Sequence, residues 1–227
     1  MSFTEPSPGG VAAALGCAAR ARPEAPFLFY RDPRGQFRWW SFSTAFGFLE
    51  GGGLTLEKLS VKGVVVDREA VELLGGFLRV ALGDGSEASG AADLPGPEPR
   101  LGRDVWISWR PLSHPREIAL ARWAIGSGAA ILVEPGRALH PELFAWARPT
   151  IVSGSVEELL ALASQLESLA PRFFRQRWFR QRAERLRLVL VAGEPAAGEL
   201  EQVRQRWREM SARFSARVTP FAAGSLV

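Results

Sequence analysis

The sequence predicts an α/β protein with a mainly parallel sheet flanked by helices and with an N-terminal β-hairpin. In the second half of the chain, short apolar runs alternate with longer segments of helical periodicity. Such alternation is typical of βαβ units, whose strands run parallel. In the first half, two strand-like runs flank Asp32-Pro33-Arg34-Gly35, where Pro and Gly stand at the positions that a tight turn favours.

The first half is expected to hold a helix, the hairpin, and then a strand and a second helix. The expected elements are a helix over residues 11–20, strands over 27–31, 37–41 and 61–66, and a helix from Asp67 to about Leu82. The carboxylate of Asp67 suits the N-cap of that last helix. Residues 83–102 are rich in Gly, Pro, Ser and Ala, which indicates a loop or linker.

Strands and helices alternate through the second half. The expected strands are residues 104–109, 129–133, 150–152, 186–191 and 217–221, and the expected helices are 115–125, 141–147, 155–169, 172–184 and 198–212. Ser155 and Glu158 form a capping-box pattern at the start of one of these helices.

The composition indicates one compact unit. The chain has 227 residues, of which 47% are hydrophobic and 23% are charged, so that it can bury a substantial core. We expect two parts, an N-terminal part over residues 1–102 with the hairpin and the Gly/Pro-rich linker, and an α/β subdomain over residues 103–227.

The few sulfur and imidazole side chains exclude some classes of site. Cys17 is the only cysteine, so that no intrachain disulfide can form, which fits a reducing compartment. One Cys and two His cannot build a Cys/His zinc site, and no metal site is expected. No apolar run reaches the ~20 residues of a membrane span. We therefore expect a cytoplasmic protein without a transmembrane segment.

Basic and aromatic residues interleave in residues 172–187, RFFRQRWFRQRAERLR. This pattern is typical of a helix that binds nucleic acid or a membrane surface. Phe174 and Trp178 are also one helical turn apart, which equally suits the buried stripe of a surface helix with solvated arginines. Lys58 and Lys62 are the only lysines, so arginine dominates the basic residues everywhere. The sequence therefore does not favour a nucleic-acid partner.

His114 is one of only two histidines and precedes the helix over residues 115–125. Pro115 suits the first helical position and Glu117 lies in the first turn, which places His114 at the N-cap after the strand over residues 104–109. Ligands of open α/β sheets bind at the carboxyl ends of strands. The sequence leaves two interpretations open: a ligand contact, or a residue that only caps a helix.

Two glycine-containing stretches differ in how well they suit a ligand-binding loop. Residues 83–90, GDGSEASG, lack the lysine, the spacing and the following helix of a phosphate loop, and Asp84 and Glu87 would repel phosphate. Gly193-Glu194-Pro195 follows the apolar strand over residues 186–191. It is therefore either a ligand contact at the carboxyl edge of the sheet or a plain strand-to-helix turn.

Five blocks of the chain share an order and spacing with one known family. They are AARARPEAPFLFYRDPRGQFRWWSFSTAF, DVWISWRPLSHPREIALARWAIGSGAAILVEP, RPTIVSGSVEELLAL, LRLVLVAGEPAAGELEQVRQRW and VTPFAAGSLV. Together they resemble the N-terminal domain of adenylate-forming enzymes, the acyl-CoA synthetases and related AMP-binding ligases. The resemblance implies a second helix directly after the hairpin. It also implies an acyl-side pocket at His114 and adenylate contacts at Gly193, Glu194, Pro195 and Phe221, with ATP or AMP as the implied ligand.

The chain departs from the family where the family performs chemistry. DGSEASGAADLPGPEP stands in place of the Ser/Thr/Gly-rich loop that ends in Pro-Lys-Gly. Phe221-Ala222-Ala223-Gly224-Ser225 stands in place of the aromatic-Gly-x-Thr-Glu motif, without its Thr and metal-binding Glu. The C-terminal domain with the catalytic lysine does not follow before Val227. Adenylation needs Mg²⁺, lysine and backbone donors to stabilise phosphoryl charge, so the sequence favours a protein without ligase activity.

Several functions remain open at this point. We favour a degenerate ligase-like protein that binds an acyl group or an acyl-adenylate, or that serves as a subunit of a protein partner completing the domain. The first alternative is a split ligase that is active only with a second chain. The second is a module that binds nucleic acid or an anionic membrane through residues 172–187. The third is an inactive fragment with an incomplete fold.

Overall fold

A computed structural model describes residues 10–32, 34–50, 68–82, 104–110, 115–133, 147–169, 185–210 and 216–221. In chain order, the helices and strands in these ranges are α1 (Gly10–Ala21), β1 (Pro26–Arg31), β2 (Phe37–Ser41), α2 (Phe42–Glu50), α3 (Arg68–Leu82), β3 (Val105–Ser108), α4 (Pro115–Gly126), β4 (Ala130–Val133), β5 (Ile151–Gly154), α5 (Val156–Leu169), β6 (Leu188–Ala192), α6 (Ala197–Met210) and β7 (Arg217–Phe221). None of the helices in these ranges has the length and apolar character needed to cross a membrane.

The seven strands form one sheet in the order β2-β1-β4-β3-β5-β6-β7. Only the hairpin pair β1–β2 is antiparallel, and every other neighbouring pair is parallel. This confirms the predicted α/β class with a mainly parallel sheet and an N-terminal hairpin. Because the parallel strands point the same way, their carboxyl ends meet at a single edge of the sheet, which is where such sheets bind ligands.

The hairpin turns where the sequence predicts it. The Gly35 amide donates to the Asp32 carbonyl at 2.8 Å, and the Gln36 amide donates to the Asp32 carboxylate at 2.7 Å. Gly35 has a φ of 76°, a conformation that glycine adopts without steric cost. Leu28 of β1 then pairs with Ile131 of β4, so the hairpin is continuous with the parallel part of the sheet.

The second helix implied by the family resemblance is present. It begins at Phe42 directly after β2, and the Ser41 hydroxyl accepts a hydrogen bond of 3.2 Å from the Thr44 amide. This is the bond that an N-cap serine makes to a first-turn amide. The end of the hairpin therefore serves as the start of α2.

Helices cover both faces of the sheet. Successive strand residues point to opposite faces, so each strand contributes side chains to two separate buried clusters. One buried cluster contains Trp106, Ile131, Ile151 and Leu188 with residues of α1 to α4, and the other contains Ile107, Leu132, Val152 and Val189 with residues of α5 and α6. Strands buried on both faces read as continuous apolar runs rather than as alternating ones. That is why their sequences indicate strand but not which face is covered.

Most boundaries agree with the sequence prediction to within two or three residues, as is usual for helix and strand ends. The predicted strand over residues 61–66, the linker over 83–102 and the helix over 172–184 lie outside the described residues, as does the helix over 141–147 except for Ala147. The division of the chain at residue 102 also stays a prediction. Strands from both sides of that point nevertheless share one sheet.

Candidate functional site

A small cleft lies at the carboxyl edge of the sheet, where β3, β5, β6 and β7 end. Its walls are Arg110, Glu117, Leu120, Ser153, Gly154, Ala192 and Phe221. The free volume is about 10 Å³, which is roughly the space that one water molecule requires. These residues give the cleft apolar walls together with a carboxyl, a guanidinium and a hydroxyl group.

Glu117 is the buried acid of this cleft. It lies in the first turn of α4 and is 2% exposed. The Ser108 hydroxyl donates to Glu117 Oε1 at 2.8 Å, and the Arg110 backbone amide also donates to the carboxyl group. Burial raises the pKa of Glu117 to about 7, against the opposing effects of these bonds and of the Arg110 charge. Near neutral pH the group therefore exchanges between a charged and an uncharged form.

Arg110 is engaged by a different acid, Glu158 of α5. Arg110 Nε donates to Glu158 Oε1 at 3.0 Å, and Arg110 Nη2 donates to Oε2 in a fork-shaped pair. The same Glu158 carboxylate accepts the Ser155 amide at 2.7 Å, and the Ser155 hydroxyl accepts the Glu158 amide at 3.3 Å. The predicted capping box is therefore confirmed, and it also anchors the arginine at the cleft wall.

Two tryptophans fix the end of β5 beside the cleft. Trp106 Nε1 donates to the Ser153 hydroxyl at 3.1 Å, and Trp109 Nε1 donates to the Ser153 carbonyl at 2.8 Å. A Cβ atom at Gly154 would lie 3.0 Å from Trp109 Cζ2, so this position has little room for a larger residue. These contacts hold the wall contributed by β5 in place beside the two tryptophans.

The structure brings together two of the predicted adenylate contacts. The Gly193 amide donates to the Phe221 carbonyl at 2.9 Å, and Gly193 takes a φ of 97° that favours glycine. Glu194 is exposed and Pro195 is half-buried on the turn that follows. Phe221 is 1% exposed and belongs to the buried cluster on the α1–α4 face.

The space beside Phe221 limits what the site accepts in this conformation. With about 10 Å³ free, a purine ring does not fit against Phe221 unless the cleft opens. This geometry does not test nucleotide binding, and the adenylate role of Gly193, Glu194, Pro195 and Phe221 stays a prediction. Within the described ranges, no group of three or more His, Cys, Asp or Glu side chains is placed to hold a metal ion.

His114 lies outside the described residues, although α4 begins at Pro115 as predicted. The residue that the sequence did not single out is Glu117, which it indicated only as a first-turn acid. An acid in the first turn is an ordinary helix feature. Its burial results from the packing of α4 against the end of β3, which no local pattern reports.

A second buried polar cluster lies at the opposite, amino edge of the sheet. Asp104 is 2% exposed and accepts bonds from the Thr150 hydroxyl at 2.8 Å and from Arg187 Nε at 2.9 Å. The Thr150 hydroxyl accepts the Val105 amide at 2.9 Å. These bonds connect the starts of β3, β5 and β6, so they stabilise the sheet at the edge away from the cleft.

No family model and no curated protein matches the sequence. Solved structures do match. They include CmiS6, with 15% identity, a TM-score of 0.55 and coverage of 97% of this chain and 72% of that one. VinN in complex with L-aspartate matches with 13% identity, a TM-score of 0.54 and coverage of 96% and 76%. A long-chain-fatty-acid-CoA ligase from Archaeoglobus fulgidus matches with 11% identity, a TM-score of 0.54 and coverage of 94% and 63%.

The chain has the fold of the N-terminal domain of adenylate-forming ligases. This confirms the resemblance inferred from the five sequence blocks. At identities of 11–15%, the likeness concerns the fold. The chain spans 63% of the length of the Archaeoglobus ligase.

Proposed function

We propose that this adenylate-forming-ligase-like protein has no ligase activity of its own and binds a short acyl group at the carboxyl edge of its sheet. The observation that carries the proposal is the cleft among the ends of β3, β5, β6 and β7. Apolar walls with a few convergent polar groups are typical of small-molecule sites. Leu120 and Phe221 supply the apolar surface, and Ser153 and Glu117 supply the polar groups.

The loss of ligase activity is supported by residue chemistry. Adenylation requires cationic and metal groups that stabilise the charge developing on a phosphoryl group. The segment after β7 reads Ala222-Ala223-Gly224-Ser225, without an acidic metal ligand, and Lys58 and Lys62 are the only lysines of the chain. The free space beside Phe221, about 10 Å³, is smaller than an acyl group or a nucleotide, so the cleft must open to admit either ligand.

The proposal is tested by thermal unfolding of the purified chain with short-chain acyl N-methylamides and with acyl-sulfamoyl-adenosines. A ligand that binds only the folded state raises the melting temperature. A rise with the short N-methylamides supports acyl binding, and a rise confined to the adenosine compounds shows that the cleft opens for an adenylate. A flat response to both sets overturns the binding function. ATP–pyrophosphate exchange by the purified chain would overturn the absence of ligase activity.

Two variants that replace an alanine by leucine test whether the ligand binds in the cleft. Ala192 lines the cleft and is half-buried, so Ala192→Leu fills the cleft without entering the core. Ala196 is exposed and lies outside the cleft walls, so Ala196→Leu is the matched control. We expect Ala192→Leu to abolish the ligand-induced rise in melting temperature and Ala196→Leu to retain it.

A role as the subunit of a larger assembly is the second candidate. Among the described strands, β2 stands at the end of the sheet, and Trp39 on it is 51% exposed. An edge strand with a large apolar side chain is open to pairing with another chain. Sedimentation velocity of the wild type and of Trp39→Lys tests this surface. Association that the lysine variant loses supports a partner there, and a monomeric wild type at all concentrations speaks against self-association.

A further inference from the structure

Trp39 is the exposed end of an apolar row that crosses four strands of the sheet. Its register partner on β1 is Phe29, which pairs in turn with Leu132 of β4, and Leu132 pairs with Ile107 of β3. Leu132 and Ile107 are buried, Phe29 is half-buried and Trp39 is 51% exposed. The apolar layer on this face therefore reaches β2, which is an outermost strand among the described residues.

The hairpin register sets the direction of the Trp39 backbone groups. The Asp32 amide donates to the Gln36 carbonyl at 2.9 Å, so these two residues form a hydrogen-bonded pair. Opposed pairs of an antiparallel ladder alternate between hydrogen-bonded and non-hydrogen-bonded ones. Counting along the register from Asp32 and Gln36, Phe29 and Trp39 form a non-hydrogen-bonded pair. The amide and the carbonyl of Trp39 consequently point away from β1, toward the outer side of β2.

The strand at the other end of the described sheet, β7, is less suited to pairing. The Arg217 amide donates to the Arg187 carbonyl, and the Phe221 carbonyl accepts the Gly193 amide, so both groups point toward β6. Alternation along the strand turns Pro220 to the outer side, where a proline has no N–H to donate. A proline is one of the features that protect an edge strand from pairing. The sequence of β2, FRWWS, contains none.

We propose that β2 pairs antiparallel with β2 of a second copy of this chain, with the twofold axis at Trp39. The two Trp39 residues then exchange both N–H···O bonds, and their indoles lie beside each other on the same face. A twofold axis brings the same surface of each copy together, so one exposed tryptophan completes the contact in both copies. This proposal rests on the subunit role considered above, for which it names the partner, and it is independent of acyl binding.

Charge favours this register over its neighbour. Pairing centred on Arg38 would place two guanidinium groups directly opposite each other, which is unfavourable. Pairing centred on Trp39 places Arg38 opposite the partner's Trp40 instead. The Arg38 guanidinium also keeps its counter-charge, because its Nε lies 3.3 Å from Asp32 Oδ2 within the same hairpin. The antiparallel arrangement further separates the two hairpin turns, which lie at opposite ends of the contact.

Sedimentation velocity of the purified full chain tests the dimer. A single strand edge gives a small interface, so we expect association only at about 1–100 μM protein. Trp39→Lys should weaken the association at least about tenfold, and Trp39→Phe should retain most of it. Val80→Lys is the matched control, because Val80 on α3 is the other exposed large apolar residue of the described ranges, at 46%. It should associate as the wild type does.

Disulfide trapping tests the register. The exposed Cys17 is first replaced by serine, so that each variant carries one thiol. In Trp39→Cys the paired Cα atoms are about 5.5 Å apart, which a disulfide spans. In Arg38→Cys the two equivalent Cα atoms are offset by two residues and lie about 8 Å apart, which is too far. Under mild oxidation, Trp39→Cys should form covalent dimers at least about fivefold faster than Arg38→Cys or Val80→Cys.

Each outcome supports or overturns a stated part of the proposal. A wild type that stays monomeric up to about 200 μM, or a dimer that Trp39→Lys retains, overturns pairing through β2. Loss of the dimer in Val80→Lys alone assigns the contact to another surface and also overturns it. Faster trapping of Arg38→Cys overturns the register. The trapping comparison decides the matter even if Trp39→Lys does not fold, and the ligand-induced melting shift tests acyl binding separately in every case.

Discussion

The Ser108 hydroxyl donates a hydrogen bond of 2.8 Å to the buried carboxyl group of Glu117. The bond joins the end of β3 to the first turn of α4, at the edge of the sheet where the cleft lies. A neutral hydroxyl and a backbone amide satisfy the oxygens of the carboxyl group but do not neutralise its charge. Burial therefore dominates, and the pKa of Glu117 rises from 4.5 to about 7.

Glu117 should make the protein less stable as the pH rises toward neutral. Below pH 4.5 the carboxyl is protonated in the folded and unfolded states, and its stabilising contribution is fully present. Between pH 4.5 and about 7 only the unfolded state loses its proton, so the free energy of unfolding falls by about 3 kcal/mol. Glu117→Gln should remove this fall, as measured by urea unfolding from pH 4.5 to 8.

The exposed acid Glu194 supplies the control for that experiment. The stability of Glu194→Gln should follow the wild-type pH curve, while the curve of Glu117→Gln diverges upward above pH 5. Parallel curves for the wild type and Glu117→Gln would show that the carboxyl has an ordinary pKa and is solvated in the folded protein.

Gly75 and Gly76 are neighbours in α3 with opposite expected responses to alanine. A Cβ at Gly75 would lie 2.4 Å from Cζ of Phe48, whose side chain is 2% exposed, and nothing lies within 4 Å of a Cβ at Gly76. Overpacking should make Gly75→Ala less stable by about 1–3 kcal/mol. The higher helix propensity of alanine should make Gly76→Ala more stable by up to about 1 kcal/mol. Urea unfolding of both variants checks this, and equal effects would refute the close contact between α2 and α3.

Asp104 should contribute more to stability than an exposed acid of equal charge. Asp104→Ala leaves Arg187, which is 19% exposed, without its partner, and it removes the acceptor of the Thr150 hydroxyl. We expect a loss of about 2–3 kcal/mol in the free energy of unfolding, since breaking a buried pair leaves an uncompensated charge. Glu201→Ala, which breaks exposed pairs on α6, should cost less than about 1 kcal/mol. A similar loss in both variants would contradict the structural role of the amino-edge cluster.

The elements of the fold were predictable because their signals are local. The turn at Gly35, the capping box of Ser155 and Glu158, and the apolar run of β6 each depend on residues close in sequence. The strand order is not a local property, because β1 pairs with β4 across about a hundred residues. The family resemblance concerns the order of blocks along the chain, and the sequence analysis predicted no strand order in the sheet.

The site was less predictable than the individual elements, because its residues come from distant parts of the chain. Gly193 and Phe221 were singled out by resemblance. Their hydrogen bond shows that they are adjacent and does not test what they bind. Glu117 escaped notice because its neighbours, Ser108 and Phe221, lie on other elements of the chain. The engagement of Arg110 by Glu158 is equally non-local, since the two residues are 48 positions apart.

Ser155 should stabilise α5 as its N-cap. Its hydroxyl accepts the Glu158 amide at 3.3 Å, so Ser155→Ala should lower the free energy of unfolding by about 1 kcal/mol. Ser164 is exposed inside the same helix. Its hydroxyl donates to the Leu160 carbonyl of the preceding turn at 3.0 Å, a bond that helices do not need, and accepts an exposed bond of 3.3 Å from Arg206 Nη2 of α6. Ser164→Ala should therefore change stability by no more than about 0.5 kcal/mol. Chemical unfolding of both variants makes the comparison, and an equal response would mean that the capping bond contributes nothing to the stability of α5.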